Sequence, residues 1–255
     1  VLFFNFFDKL KEKFKTGGQM RPIYIEARDI PDAWFQCIYR MFDDSEGIHE
    51  YVIEKGSFEG HKRREFDLIM VHIKYPGTRP LIPDIPQELG VPAPTSMEYV
   101  EEYLQYLMTD KKEDNELYTY GERLTNPKVL IDGKEVSIGV SPIMEVINIY
   151  KQGKYGTNQA IMEIGMPQDI ILEDPPCLRL IDTRVMHGML HFVLYFRSWD
   201  LWAGFPSNLA AIQLLKEYMG KEIGVEDGTI TAVSKGMHLY DYAFELALKR
   251  LRRET

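Results

Sequence analysis

Apolar positions recur at two spacings along this chain, and the switches between them mark out its elements. Over residues 2–15, Leu2, Phe3, Phe6, Phe7, Leu10 and Phe14 share one helical stripe with lysines opposite. That spacing predicts an amphipathic helix, a flanking element over 1–18 that ends at Gly17-Gly18. It is read as packing on the protein body or a partner subunit, ahead of a membrane surface. Ile23–Ile25 reads as a short strand. Trp34, Ile38 and Met41 give a helix over 33–43 with Asp32 as its cap, and Cys37 falls in that pattern as a small core residue. Glu54 to Glu65 reads as a polar loop, Phe66–Tyr75 as a strand, and Pro76 to Pro94 as a proline-rich surface connection. Ser96 caps a helix reaching Met108, with Val100, Tyr103, Leu104 and Leu107 on one face. A polar loop from Thr109 to Glu116 leads to Tyr118–Arg123. Ser141–Tyr150 reads as a helix and Gln159–Ile164 as a strand. Leu178–Met186 and Leu190–Phe196 read as strands joined by a glycine turn at His187-Gly188. Pro206 opens a helix over 207–219, Gly228–Val233 is a strand, and Leu239–Leu251 is a helix with a basic end. Strands and helices interleave without strict alternation, which predicts an α+β fold with one large mixed sheet.

Composition narrows the picture. The 255 residues are 45% hydrophobic, enough for a sizeable core, and no shift in composition cuts the chain, so one domain over 1–255 is expected. The net charge of -9 argues against a general nucleic-acid partner but leaves room for local basic pockets that hold one phosphate. Cys37 and Cys177 make neither a disulfide framework nor a metal site, so a reducing, cytoplasmic setting is expected. The apolar run at residues 1–7 is too short to span a membrane and no small-residue cleavage site follows it, so neither a signal peptide nor a membrane partner is expected.

The chemistry centres on Cys177, in Asp174-Pro175-Pro176-Cys177-Leu178-Arg179. Two prolines hold the backbone extended before the thiol. The hairpin then ends in Phe196-Arg197-Ser198-Trp199-Asp200, so a cation, a hydroxyl and a carboxylate come to the same end of the sheet. A thiol beside a cation is the arrangement of an activated nucleophile. A buried free cysteine is the simpler alternative, and spacing alone favours it.

Three stretches together resemble the thymidylate synthase family: Pro175-Pro176-Cys177; the run Arg197-Ser198-Trp199-Asp200-Leu201-Trp202-Ala203-Gly204-Phe205-Pro206-Ser207-Asn208; and His238-Leu239-Tyr240. The second is similar to the family's Arg-Ser-x-Asp-x-x-x-Gly-x-Pro-x-Asn and the third to its His-x-Tyr. Glu102-Tyr103-Leu104-Gln105-Tyr106-Leu107 resembles the helix carrying the family's catalytic glutamate, and Tyr120-Gly121 its Tyr-Gly. The likeness is nearest to the archaeal-type branch. It implies a large mixed sheet covered by helices on one face, with the sheets of two subunits packing together in a homodimer. It also implies reductive methylation of dUMP, with 5,10-methylenetetrahydrofolate or methylene-tetrahydromethanopterin as donor and no metal.

In that reading Cys177 is the nucleophile, and Arg197 lowers its pKa and binds the phosphate with Ser198. Asn208 reads the uracil edge, His238 and Tyr240 hold the ribose, and Glu102 and Tyr120 manage protons. Asp200, with Trp199 and Gly204, meets the pterin. The chain departs from the family at Thr157-Asn158-Gln159-Ala160, where paired arginines reach the partner's phosphate. Lys55, the run Lys62–Arg64 or Arg123 are the candidate substitutes. Leu178, Phe196 and Gly236 stand where histidine, glutamine and aspartate are usual, and Leu251–Thr255 lacks the apolar tail, which leaves the pterin open. A pyrimidine nucleotide hydroxymethylase, or a nucleotide-binding member without turnover, are the alternatives; Asn208 argues against a cytosine substrate.

Overall fold

The computed structural model describes residues 19–43, 46–55 and 58–253. The helix expected over 2–15 lies outside them. Twelve strands are described: β1 Pro22–Ala27, β2 Ile48–Val52, β3 Lys62–Phe66, β4 Leu68–Ile73, β5 Lys128–Ile131, β6 Lys134–Ser137, β7 Ile161–Glu163, β8 Leu178–Met186, β9 Met189–Phe196, β10 Trp199–Asp200, β11 Glu226–Ser234 and β12 Met237–Tyr240. The helices are α1 Ile30–Asp43, α2 Met97–Leu107, α3 Tyr120–Thr125, α4 Pro142–Lys151, α5 Gly204–Ile223 and α6 Phe244–Arg250.

A six-stranded mixed sheet runs β1-β4-β11-β9-β8-β7. Its strands form because apolar residues alternate along them, and they bury one face: Ile23 and Ile25 on β1, Ile69, Val71 and Ile73 on β4, Leu190, Phe192 and Leu194 on β9, and Ile230 on β11. Helices α1 and α5 pack on this sheet, and α5 also packs on α2 and α4. Within α5, Phe205, Leu209, Ile212, Leu215 and Met219 are fully buried. Each such side chain contributes roughly 1.5–3 kcal/mol of transfer free energy, so α5 is the central support of the fold. Gly224, at φ 85, closes it in the left-handed conformation that glycine adopts without strain. The hairpin turn between β8 and β9 is as expected, with His187 and Gly188 both at positive φ (54 and 74).

The opposite face of the large sheet carries the other residues of each strand. Across its register Tyr24 lies beside Met70, Met70 beside Val233, Val233 beside Tyr195, and Tyr195 beside Leu180. Tyr24 is 58% exposed and Met70 43%. Within one chain, β8 and β9 bury one face, and their other face is partly exposed.

A second sheet, β10-β12-β3-β2, joins the first where the chain leaves β9 at Arg197-Ser198. Sequence periodicity misplaced its parts. Lys62–Phe66, expected mostly as loop, is β3, and the strand expected over 66–75 begins as β4 only after the break at Asp67. Met237–Tyr240, partly assigned to the last helix, is β12; that helix begins at Phe244. The reason is common to both. β3 is almost wholly charged and β12 is only four residues long, so neither carries an apolar alternation long enough to mark a strand. The hairpin β5-β6 was not anticipated. Asp29, not Asp32, caps α1, its Oδ1 accepting from the Asp32 amide at 3.0 Å, whereas Ser96 caps α2 as expected.

Candidate active site

The thiol of Cys177 sits at the head of β8, opposite the end of β9. The Arg197 amide donates to the Cys177 carbonyl at 2.8 Å, which fixes the two strand ends together. The Arg197 Nε donates to the carbonyls of Pro175 (3.1 Å) and Pro176 (3.2 Å), and its Nη2 reaches Asp174 Oδ1 at 3.0 Å. From the other side the Tyr120 hydroxyl oxygen accepts the amides of Cys177 (3.1 Å) and Leu178 (3.2 Å). Tyr120 is itself placed at the first turn of α3, capped by Thr119, with its amide donating to the Tyr106 hydroxyl at 3.3 Å. The cysteine backbone is thus held from three sides.

Arg197 acts on the Cys177 thiol in the expected direction without being the largest effect. Burial pushes the Cys177 thiol above its ordinary 9.0; Arg197 pulls it down, Asp174 pushes it up and Arg63 pulls it down, but burial is the largest effect. The Arg197 guanidinium is bonded to two carbonyl oxygens and a carboxylate, so its charge is partly met before it acts on sulfur. A charge on Cys177 is felt by Tyr103, Tyr118, Tyr120 and Tyr240, which places these phenols around the sulfur. Burial pushes the Tyr120 hydroxyl well up, so it remains a neutral phenol.

The small sheet forms the facing wall. Register sets Arg63 of β3 between Tyr51 and Tyr240, and sets Glu65 beside His238. Arg63 Nη2 donates to Ser198 Oγ at 3.3 Å and is paired with Glu65. His238 is 3% exposed. Burial, aided by Arg63 and Arg197, pushes it down to about 3, so the ring is neutral. Its Nδ1–H donates to the Gly236 carbonyl at 2.8 Å, which leaves Nε2 a buried acceptor with no partner. A Cβ on Gly236 would meet the Arg197 carbonyl at 2.9 Å, so the aspartate usual in the family has no room there.

Two adjoining hollows open beside this wall. One, about 500 Å³, is lined by Tyr99, Glu102, Tyr103, Tyr106, Glu116, Tyr118 and Tyr120. The other, about 410 Å³, shares Tyr99 and is lined by Asp200, Gly204, Ser207 and Asn208. Asn208 Oδ1 accepts from Trp199 Nε1 at 3.1 Å. That bond orients the amide and leaves Nδ2 and one lone pair of Oδ1 available. Asp200 accepts the amides of Trp202 (3.1 Å), Ala203 (3.0 Å) and Gly204 (2.9 Å), capping the entry to α5.

The family model for thymidylate synthase matches residues 109–255, more than half of the chain, including Tyr120, Cys177, Arg197, Asp200, Asn208 and His238. The chain belongs to the thymidylate synthase family. Among curated relatives, a protein named "Putative thymidylate synthase" from Methanosarcina acetivorans is 29% identical over 93% of this chain and 96% of its own length. The protein of the same name from Methanococcoides burtonii is 31% identical over 87% and 91%, and that from Methanothermobacter thermautotrophicus is 28% identical over 88% and 96%.

Set against the family motif, most of the expected residues converge. Arg197 and Tyr120 bond the Cys177 backbone, Ser198 accepts from Arg63, His238 and Tyr240 meet edge to face at 4.7 Å, and Asp200, Gly204 and Asn208 line the smaller hollow. Trp199 does not fit its expected place at a pterin: it is 2% exposed and stacked 3.9 Å from Phe196. Its neighbour Trp202 is likewise core, 5.2 Å from Trp34. Glu102 lines the tyrosine hollow as an exposed carboxylate. Lys55 lies exposed, with no hydrogen bond or ion pair to these groups among the described residues. Arg123 is buried and bound to Asp169 at 3.2 Å, away from the thiol. Sequence reasoning missed Tyr106, which lies within the helix pattern, and Tyr118, which lies in the loop before α3 where no periodicity marks it. No cluster of His, Cys, Asp or Glu fit for a metal occurs among the described residues, nor any helix long and apolar enough to cross a membrane.

Proposed function

We propose that this chain, as one catalytic domain, is a thymidylate synthase that methylates dUMP at carbon 5. The observation that carries this reading is the setting of Cys177: a half-buried thiol clamped by Tyr120 and Arg197, facing a buried neutral histidine whose Nε2 awaits a donor. The ribose hydroxyl donates to His238 Nε2 and bonds Tyr240. Asn208, oriented by Trp199, pairs its free amide N–H and remaining lone pair with O4 and N3–H of uracil. Arg197 exchanges Asp174, whose side chain is 90% exposed, for the substrate phosphate, and Ser198 adds its hydroxyl proton.

The Cys177 thiolate forms a bond to carbon 6, the electron pair of the ring double bond moves to carbon 5 and O4, and carbon 5 becomes the nucleophile. The thiol proton leaves to solvent, and the positive charges of Arg197 and Arg63 favour the thiolate. Tyr120 and Glu102, through water, take the carbon 5 proton and steady O4, and departure of the sulfur restores the ring. A reduced pterin, methylene-tetrahydrofolate or methylene-tetrahydromethanopterin, supplies the one-carbon unit and the hydride. The stacked tyrosines of the larger hollow and the unspent lone pair of Asp200 fit a flat ring with an amide edge. A second copy covers the row Tyr24, Met70, Val233, Tyr195 and Leu180, giving a homodimer that sedimentation equilibrium reads directly. The reaction is tested by supplying dUMP tritiated at carbon 5 with each pterin. Tritium release with dTMP as product is expected. Hydroxymethylated product, or no release with either donor, contradicts the assignment.

A further inference from the structure

We propose that Arg63 is a phosphate ligand of the nucleotide site, an intrachain cation that takes over from the arginine pair absent at 157–160, and that Glu65 is the carboxylate it releases when phosphate arrives. The proposal rests on the reading of Cys177, Arg197 and Ser198 as the dUMP site.

The position follows from β3. Successive side chains of a strand face opposite ways, so Arg63 and Glu65 face the cleft while Lys62 and Arg64 do not. Lys62 is exposed, 3.5 Å from Glu50. Arg64 lies over the Phe42 ring at 5.3 Å, with Glu50 3.7 Å away. Arg63 is different. Its side chain is 18% exposed, and its Nη2 already holds Ser198 Oγ, the hydroxyl assigned to the phosphate. Its Nε is a buried donor with no hydrogen-bond partner. Cys177, His238 and Tyr240 all feel its charge. With Arg197 it brackets Ser198, so two guanidiniums and one hydroxyl converge at the rim of the thiol space.

Glu65 explains why such a cation stays in place without ligand. A buried guanidinium needs a counter-anion, and Glu65 supplies it from the same face of the same strand. Glu65 Oε2 also accepts the Tyr51 hydroxyl at 3.3 Å, so it keeps a partner once Arg63 turns to a phosphate. A phosphate presents more acceptors and more charge than one carboxylate, and a guanidinium meets two of its oxygens at once. Ser198, whose oxygen accepts from Arg63, still has its own proton to donate to the same group.

The test measures binding of dUMP and of deoxyuridine, which lacks the phosphate, by calorimetry. Arg63→Gln is expected to weaken dUMP by about ten- to a hundredfold, the loss of charge-assisted bonds, and to leave deoxyuridine unchanged. Arg64→Gln changes neither. Glu65→Gln tightens dUMP binding, because the resident competitor is gone. Arg63→Lys, which keeps the charge without the fork, gives an intermediate loss and serves if the glutamine variant melts early. If Arg63→Gln binds dUMP as the unaltered protein does, or loses both ligands equally while its melting point holds, the assignment of Arg63 is wrong and the wider reading stands. If the unaltered protein binds no dUMP, both fall together.

Discussion

Cys37 and Cys177 carry the same group into opposite surroundings. Cys37 lies inside α1, fully buried against the large sheet. Burial, with Asp32 adding to it, pushes its thiol far up, and no cation offsets this. Cys177 stands at a strand head where burial also pushes the thiol up, but Arg197 and Arg63 pull against it and phenols ring the sulfur. Neither thiol is a ready thiolate in the free protein. What separates them is that one side of Cys177 is open to a ligand. At Cys177 the opposing charge of Asp174 is exposed and displaceable, and each of its cations is tied to a carboxylate that a phosphate can replace. Cys177 is therefore a reachable thiol with two cations beside it, whereas Cys37 has neither an opening nor a cation.

The largest break in that comparison is Cys177→Ser. Turnover is expected to fall by at least about ten-thousandfold, because hydroxyl is far less ionised and less nucleophilic than thiol, while dUMP affinity stays within roughly threefold. Steady-state kinetics and calorimetry read the two. Cys37→Ser, measured alongside, keeps its turnover; the reverse pattern would invert the account.

Next in size is Tyr120→Phe, which strands the amides of Cys177 and Leu178 without their acceptor. An unsatisfied buried donor costs about 1–3 kcal/mol, so the melting point drops and kcat falls by roughly ten- to a hundredfold as the thiol loses its fixed position. A variant with normal kcat would mean that the clamp on the cysteine backbone does not matter.

The smallest effect belongs to Cys37→Ala, about 1 kcal/mol of stability for the lost sulfur, with kcat unchanged. The pH dependence gives it a signature. The folded-state pKa is raised, so the folded chain binds more protons than the unfolded one as pH climbs past 9.0, and stability is lost there. The alanine variant removes that share of the alkaline decline, which urea melts between neutral and alkaline pH can follow. His238 works at the other end: its pKa is lowered to about 3 in the folded chain, so stability falls as pH drops below 6.5, where the unfolded ring charges first.

Legibility follows the same physics. The β8-β9 hairpin and α2 with its Ser96 cap could be read because apolar periodicity and turn residues mark them, and the run 197–208 because it resembles the family motif. The junction of the two sheets could be anticipated only as a shared sheet end. β3 and β12 were hidden because Lys62–Glu65 are all charged and Met237–Tyr240 is too short for its alternation to announce a strand. Trp199 misled for a related reason. An indole among motif residues reads as a cleft wall, yet its ring lies on Phe196 while its N–H orients Asn208. Arg63 was visible only as one of a basic run, since sequence does not say which side chain of a strand faces inward until the strand is known.

The central claim is that the Cys177 sulfur, and not that of Cys37, adds to the substrate as the nucleophile. It is tested most directly by trapping the protein with 5-fluoro-dUMP and the methylene donor, digesting it, and locating the added mass. The account predicts a ternary adduct on the peptide containing Cys177 and an unmodified Cys37. No adduct on Cys177, with the nucleotide bound, would contradict it.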